Sequence, residues 1–453
     1  MKRLETFQYP REAGQPLGPQ FTGGEVNLLV SHADGRAKRP LNGEPGASHR
    51  HVQVDDEAVF VLQNGFDSES PCHTSYVLRH LFSGNSFGFF FPFVHRSAAE
   101  VPDLAHGYST DETARALIAV LKARDHLPGG TGCSKLIKRY LAFLNHALDP
   151  ANGRFRNLMS YDRRWLEELG SEDSHGRAIW ALGEMVARAE RKGHTILAVQ
   201  LFHAALPQVV DFTAPRAWAY CLIGIHAYLR RYSGDTEVKR YRSKLSEKLV
   251  KLYERRADDQ WLWPEPYLTY ENAQLPHALL LCGQWMFDSK MAELALRSLD
   301  WLLSRLTADD GHFSPIGNQG WYERGKTKAH FDQQPLEAHA TIDACLEAFR
   351  MTREPHWHQR AFRIFNWFLG DNDLRAPLYD PNTGGCYDGL HSGGVNENQG
   401  AEATVAWLLA LTSLYETGAE ITETKPPQPE KEAKQVAEPK TLGIRERQTT
   451  GQG

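Results

Sequence analysis

A rhythm of paired helical segments between residues 105 and 420 constrains this chain more than any other feature. A polar, carboxylate-bearing stretch opens one helix, an amphipathic helix follows, and the alternation repeats. The first members begin at "STDETARALIAVL", "SEDSHGRAIWALGEMV", "APRAWAYCLIGIHAYL", "NAQLPHALLLCGQWMF", "QQPLEAHATIDACLEAF" and "NQGAEATVAWLLALTSLY". The second members include "SKLIKRYLAFLNHAL", "HTILAVQLFHAALPQVV", "TEVKRYRSKLSEKLVKLY", "SKMAELALRSLDWLLSRL" and "PHWHQRAFRIFNWFL". Trp357, Ala361, Ile364, Phe365 and Phe368 share one helical face, as do Leu296, Leu299, Leu303 and Leu306. Three connecting loops, "DPANGRFRN", "ADDGHFSPIGN" and "DPNTGGCYDG", carry the Asp and Gly of tight turns and predict short hairpins.

Six first members and at least five second members predict an all-α fold, an (α/α)6 toroid with six inner and six outer helices. An open helical solenoid is the competing layout. The closed ring is preferred because the count stops at six and the inner helices open on polar residues. The expected domain occupies residues 71–420. Residues 1–70, with the strand-like runs "EVNLLV" and "EAVFVLQ", are expected to form an irregular N-terminal extension. Residues 421–453, rich in Pro, Lys, Glu and Gln, are expected to be a disordered tail.

Composition narrows the function classes. The net charge of -5 leaves no electrostatic footprint for nucleic acid or an anionic membrane. No run approaches the ~18 apolar residues of a membrane span. The first residues, "MKRLETFQYPREAG", lack the apolar core of a secretory signal. The six cysteines are scattered and form no CxxC pair, so no disulfide framework and no metal site is expected. These features predict a cytoplasmic protein without a cofactor. No phosphate-binding loop, nucleophile elbow or dinucleotide fingerprint occurs.

In a toroid the beginnings of the inner helices share one mouth, so acids distant in sequence converge there. Five polar clusters fall in phase with the repeat. The first holds Asp111. The second holds Glu172, Asp173, His175 and Arg177, preceded by Tyr161, Asp162 and Arg163; Arg177 has Asp162 as a prospective buried partner. The third holds Tyr270, Glu271 and Asn272. The fourth holds Asp332, Gln333, Gln334 and Glu337. The fifth holds Asn398 and Gln399. Carboxylates and amides bond sugar hydroxyls, and aromatic faces stack on sugar C–H surfaces. Two carboxyls across a glycosidic bond serve as general acid and base, or as acid and nucleophile. Burial and like-charge proximity raise one of the two pKa values. Asp173 and Asp332 are the expected acid/base pair, with Glu271 as third carboxylate. The other residues of the five clusters are expected to bind substrate. Part of the second cluster also reads as helix capping, with Ser171 as N-cap.

The phrases "HGYSTDETARALIA", "YDRRWLEELGSEDSHGRAIWALG" and "FDQQPLEAHATIDACLEA" resemble a family of bacterial (α/α)6 proteins labelled glycosidase-related or glycosyltransferase. The resemblance covers about residues 70–420. It implies a toroid, a carbohydrate context and a glycosyltransferase as a potential partner. Asp111 matches the family pattern, whereas Glu112 and Thr113 stand where Asp and Asn are usual. Two alternatives to a glycosidase-like enzyme follow. One is a sugar 2-epimerase or isomerase, for which His175, His277 and His339 would matter more than the acids. The other is a non-catalytic glycan-binding partner of a glycosyltransferase.

Overall fold

The computed structural model describes residues 97–98, 101–102, 106–126, 132–424 and 453. All of these lie within one compact unit that begins at Gln53. The expected extension at 1–70 lies outside the described residues, as does the expected tail from residue 425 to 452.

Eleven helices are described. They are α1 (Thr110–His126), α2 (Cys133–Ala147), α3 (Glu172–Arg188), α4 (Lys192–Ala205), α5 (Pro215–Arg231), α6 (Thr236–Arg256), α7 (Gln274–Met286), α8 (Ser289–Leu306), α9 (Pro335–Thr352), α10 (Pro355–Phe365) and α11 (Ala401–Thr424). The last helix runs four residues past the expected boundary at 420.

The two kinds of helix differ as the sequence requires. Even-numbered helices bury one stripe: α2 buries Cys133, Ile137, Tyr140, Leu141, Phe143, Leu144 and Ala147 and leaves its polar face outward. Odd-numbered helices are buried nearly all round; every residue of α3 from Ser174 to Val186 is buried. Local chemistry sets their beginnings. Ser171, Asp235 and Asp288 each accept a backbone N–H of the first turn, and Pro215, Pro335 and Pro355 stand where a missing N–H costs nothing.

The odd helices close a ring. Each packs on the next, α1 on α3 through to α9 on α11, and α11 packs back on α1. Each even helix lies against the odd helix before it in the chain. This is the (α/α)6 toroid, with six inner and five outer helices among the described residues. The core is one contiguous apolar layer between the two rings. Five described cysteines, at 133, 221, 282, 345 and 386, sit in buried positions as small apolar residues.

The inner helices run parallel, because their bonds pair like ends. Arg115 of α1 reaches Glu402 of α11 at 2.9 Å, and Arg177 of α3 reaches Asp111 of α1 at 3.0 Å, all near helix beginnings. At the far end, Lys122 of α1 bonds Ser413 of α11 at 2.7 Å. Arg188 of α3 meets Glu416 of α11 at 2.8 Å, and Arg350 of α9 bonds Thr417 at 2.8 Å.

Between α3 and α5 the backbones touch. A Cβ added to Gly183 would stand 2.0 Å from the Gly224 carbonyl oxygen, and one added to Gly224 would stand 2.6 Å from the Ile179 oxygen. Small antiparallel pairs stiffen the connections. β1 (Ser97–Ala98) pairs with β2 (Val101–Pro102), and β3 (Tyr108–Ser109) pairs with β6 (Leu158–Met159). β4 (Leu148–Asp149) pairs with β5 (Arg154–Phe155), β7 (Tyr267–Leu268) with β8 (Tyr322–Glu323), and β9 (Gly389–His391) with β10 (Gly394–Asn396). The three turn-rich loops each close on themselves, through β4–β5, a Thr307–Phe313 bridge and a Tyr379–Cys386 bridge.

Candidate functional site at the mouth of the inner ring

The first two inner helices open on parallel phrases, "STDETAR" and "SEDSHGR". Asp111 and Asp173 occupy the second helical position, and Arg115 and Arg177 the sixth. Each Arg lies one turn above its Asp on the same face. Arg115 keeps that local pairing, with Nε 2.9 Å from Asp111. Arg177 turns sideways instead. It spans from Asp111 at 3.0 Å to the Tyr220 hydroxyl at 3.1 Å, and it also donates to Glu271. The expected pairing of Arg177 with Asp162 does not form; Asp162 is exposed and bonds Ser160 and Arg164 within its own turn.

The turn between β7 and α7 brings three adjacent residues to the mouth. The Tyr270 hydroxyl donates to Asp173. Glu271, held at a left-handed φ of 43°, is almost fully buried and accepts from Arg177 and Tyr220. Asn272 accepts from Arg216 at 3.0 Å and from the Thr269 N–H at 2.9 Å. Arg216, at the second position of α5, also bonds Glu265 at 2.8 Å and the Tyr270 carbonyl at 2.5 Å. Its guanidinium lies 4.7 Å from the Tyr270 ring centroid. Beneath Glu271, the Glu337 carboxyl accepts the Glu271 N–H and, at 3.3 Å, the Asn272 amide.

Two of these carboxyls hold protons above the ordinary range. Burial raises Asp173, with the Tyr270 hydroxyl, Arg177 and Arg216 pulling back only in part. Burial raises Glu337 to about 8, and the neighbouring Glu271 charge adds to the rise.

Asp332 stands on the connection that leads into α9. Its Oδ2 accepts from Gln319 at 2.9 Å, and its backbone carbonyl accepts from Asn318 at 2.9 Å. Its Oδ1 has no hydrogen-bond partner among the described residues. The same connection carries Trp321, whose ring centroid lies 6.4 Å from that of Tyr270. A second aromatic pair stands before α1, where Tyr161, 52% exposed, stacks on Tyr108 at 5.9 Å.

Bonds therefore join Asp111, Asp173, Arg177, Tyr270, Glu271, Asn272 and Glu337 into one cluster. Other expected residues are engaged elsewhere. The Glu172 carboxylate accepts the Thr213 and Ala214 N–H groups at 2.8 and 2.7 Å, fastening the start of α5. His175 is fully buried between Phe155 and Phe212; its nitrogens bond the Phe155 N–H and the Ala205 carbonyl, and burial lowers its pKa to about 3. Gln333 is buried against His330, Asp373 and Trp367, and Gln399 bonds Thr383 and Asp380 within its own loop. The polar groups of these four residues are engaged within the chain and do not join the cluster. Arg163, at φ 65°, is exposed in its turn, Gln334 precedes α9 partly buried, and Asn398 is exposed before α11.

The sequence reading missed Arg115, Arg216 and Tyr220. The repeated "D-x-x-x-R" spacing of the first two inner helices was the available signal for Arg115. Among the described residues no group of three or more His, Cys, Asp or Glu could hold a metal ion, and no helix is long and apolar enough to cross a membrane.

No family model matches the chain, and no curated protein does. Solved structures share its fold. A sugar epimerase from a ruminal bacterium superposes with a TM-score of 0.59 at 10% identity, over 76% of this chain and 98% of its own. The cellobiose 2-epimerase from Spirochaeta thermophila gives 0.57 at 13% identity, over 78% and 96%. The GH76A alpha-1,6-mannanase from Salegentibacter sp. gives 0.51 at 9% identity, over 80% and 99%. What the chain shares with them is the toroid.

Proposed function

We propose that this chain is a carbohydrate-active enzyme of glycosidase-like type, acting on a short oligosaccharide at the mouth of the inner ring. One observation carries the reading: a buried carboxyl whose proton affinity burial raises, Asp173, is hydrogen-bonded to Tyr270, whose ring lies near that of Trp321 on the Asp332 connection. Asp173 is the general acid. It delivers its proton to the glycosidic oxygen as the bond from the anomeric carbon breaks. Asp332, on the connection that also carries Trp321 and with one oxygen lacking a partner among the described residues, is the base or nucleophile. Glu271 fixes Arg177 and Tyr220 and supplies negative charge near the developing cation. Tyr270, Trp321, Tyr161 and Asp111 contact the sugar. A structure of a similar mannanase, in an inactive variant, holds alpha-1,6-mannotetrose.

Replacing Asp173 or Asp332 singly by Asn tests the assignment on a panel of disaccharides. Turnover is expected to fall by about 10²–10⁴-fold with the melting temperature near that of the parent. Wild-type rates in both variants would remove the pair.

A second reading, sugar 2-epimerisation, has its own observation. His277 on α7 and His339 on α9 lie within electrostatic reach of each other, and burial lowers His277 to about 4, leaving a neutral imidazole at pH 7. A base beside C2 needs such a group. His175 leaves this reading, since its nitrogens are engaged. Deuterium from solvent entering C2 of a free sugar would favour it; a panel without exchange would count against it.

A further inference from the structure

We propose that the mouth admits an uncharged saccharide and rejects phosphorylated, nucleotide-linked and uronate sugars; this rests on the carbohydrate reading above. Proteins seize small anions with two devices, guanidinium forks and the free N–H groups of helix beginnings. Both occur at this mouth, and among the described residues the chain's own carboxylates, hydroxyls and amides engage them from within.

The forks are occupied by carboxylates. Arg115 is held by Asp111 at 2.9 Å and Glu402 at 2.9 Å, with Glu112 at 3.8 Å. Arg177 is held by Asp111 and Glu271, and Arg216 by Glu265 at 2.8 Å. All three guanidiniums are nearly or fully buried, so none turns outward without leaving an acid unpaired.

The helix beginnings are occupied too. The first N–H groups of α1 go to Asn157 and Ser109, and Ser171 takes one at α3. Glu172 takes two ahead of α5, and Glu337 takes one ahead of α7. α9 begins with Pro335, which has none, and Asp388 accepts the Gly400 N–H at 2.7 Å ahead of α11. Several of these plugs are themselves carboxylates. Among the described residues, an arriving phosphate would meet acids in excess and, on each of these three guanidiniums, carboxylates already seated. Sugar hydroxyls, which both donate and accept, carry no such penalty.

Isothermal titration of the full chain tests this, using neutral mannobiose and cellobiose, glucose 6-phosphate, glucuronate and a nucleotide diphosphate sugar. The neutral disaccharides are expected to bind with affinity unchanged between low and high salt, and the anions at least about tenfold more weakly. Replacing Glu402 by Gln frees one side of Arg115 and should strengthen glucose 6-phosphate binding by about tenfold, with neutral binding retained. An anion binding as tightly as the neutral sugars overturns the inference while leaving the carbohydrate reading intact. No binding by any saccharide overturns both.

Discussion

The two ends of the inner ring use the same residue types to opposite effect. At the mouth, acids outnumber cations, and burial lifts Asp173 and Glu337 above the usual carboxylate range. At the far end, burial would also raise Asp343, yet Lys122, His339 and His277 hold it far below that range. Glu416 is likewise held down against burial by Lys122, His126, Arg188 and Arg350, and Glu184 by Arg188, Arg230 and Lys122. One end is an assembled set of ion pairs. The other is left short of positive charge. A balanced buried network holds structure together, whereas an unbalanced one stores the altered proton affinity that catalysis requires.

The largest effect that would sharpen this contrast is on turnover. Asp173→Asn should cost about 10²–10⁴-fold in kcat while shifting the melting temperature little. A variant that unfolds instead would move Asp173 into the structural class. At the other end, Lys122→Met strips the ammonium from Glu416 and Asp343, and should destabilise by about 3–5 kcal/mol in urea titrations. Its remaining folded fraction should turn over at the parental rate; a specific loss of turnover would break the division between the ends.

The pH dependence of stability separates the ends by sign. Glu337 binds its proton more tightly folded than unfolded. Its contribution is complete below about pH 4.5 and disappears as pH rises through about 8. The depressed far-end acids do the reverse, contributing above their unfolded pKa and losing that contribution on acidification below about 4.5 for Glu416. Glu337→Gln should flatten the alkaline decline by about 1–3 kcal/mol between pH 5 and 8, measured by denaturation across that range. An unchanged slope would show that Glu337 ionises normally. The smallest effect concerns the rim: Tyr161→Ala should raise KM by about two- to tenfold with kcat unchanged, since a stacked exposed ring binds ground and transition states alike.

Much of the ring was legible in the sequence, and only part of the mouth. Helical periodicity and polar helix beginnings are local signals, and they placed Asp111, Asp173 and Glu271 together. Glu172, one residue from Asp173, looked equivalent but points to the next helix and fastens Thr213 and Ala214. Adjacent helical positions diverge by about 100°, so neighbours in sequence face different surroundings. Arg216 and Tyr220 sit among apolar neighbours in "PRAWAY" and look like ordinary helix residues. The far-end network was invisible for the same reason: Lys122, Asp343 and Glu416 come from three helices, and only ring closure unites them.

The bare contact of Gly183 with Gly224 works as a keyed joint between α3 and α5. Inserting one residue in α3 between Asp173 and Gly183 would slide the upper helix by about 1.5 Å and swing it by about 100°, carrying Asp173 away from Tyr270 while the key stayed seated. The number of residues between key and carboxyl is therefore set by this joint.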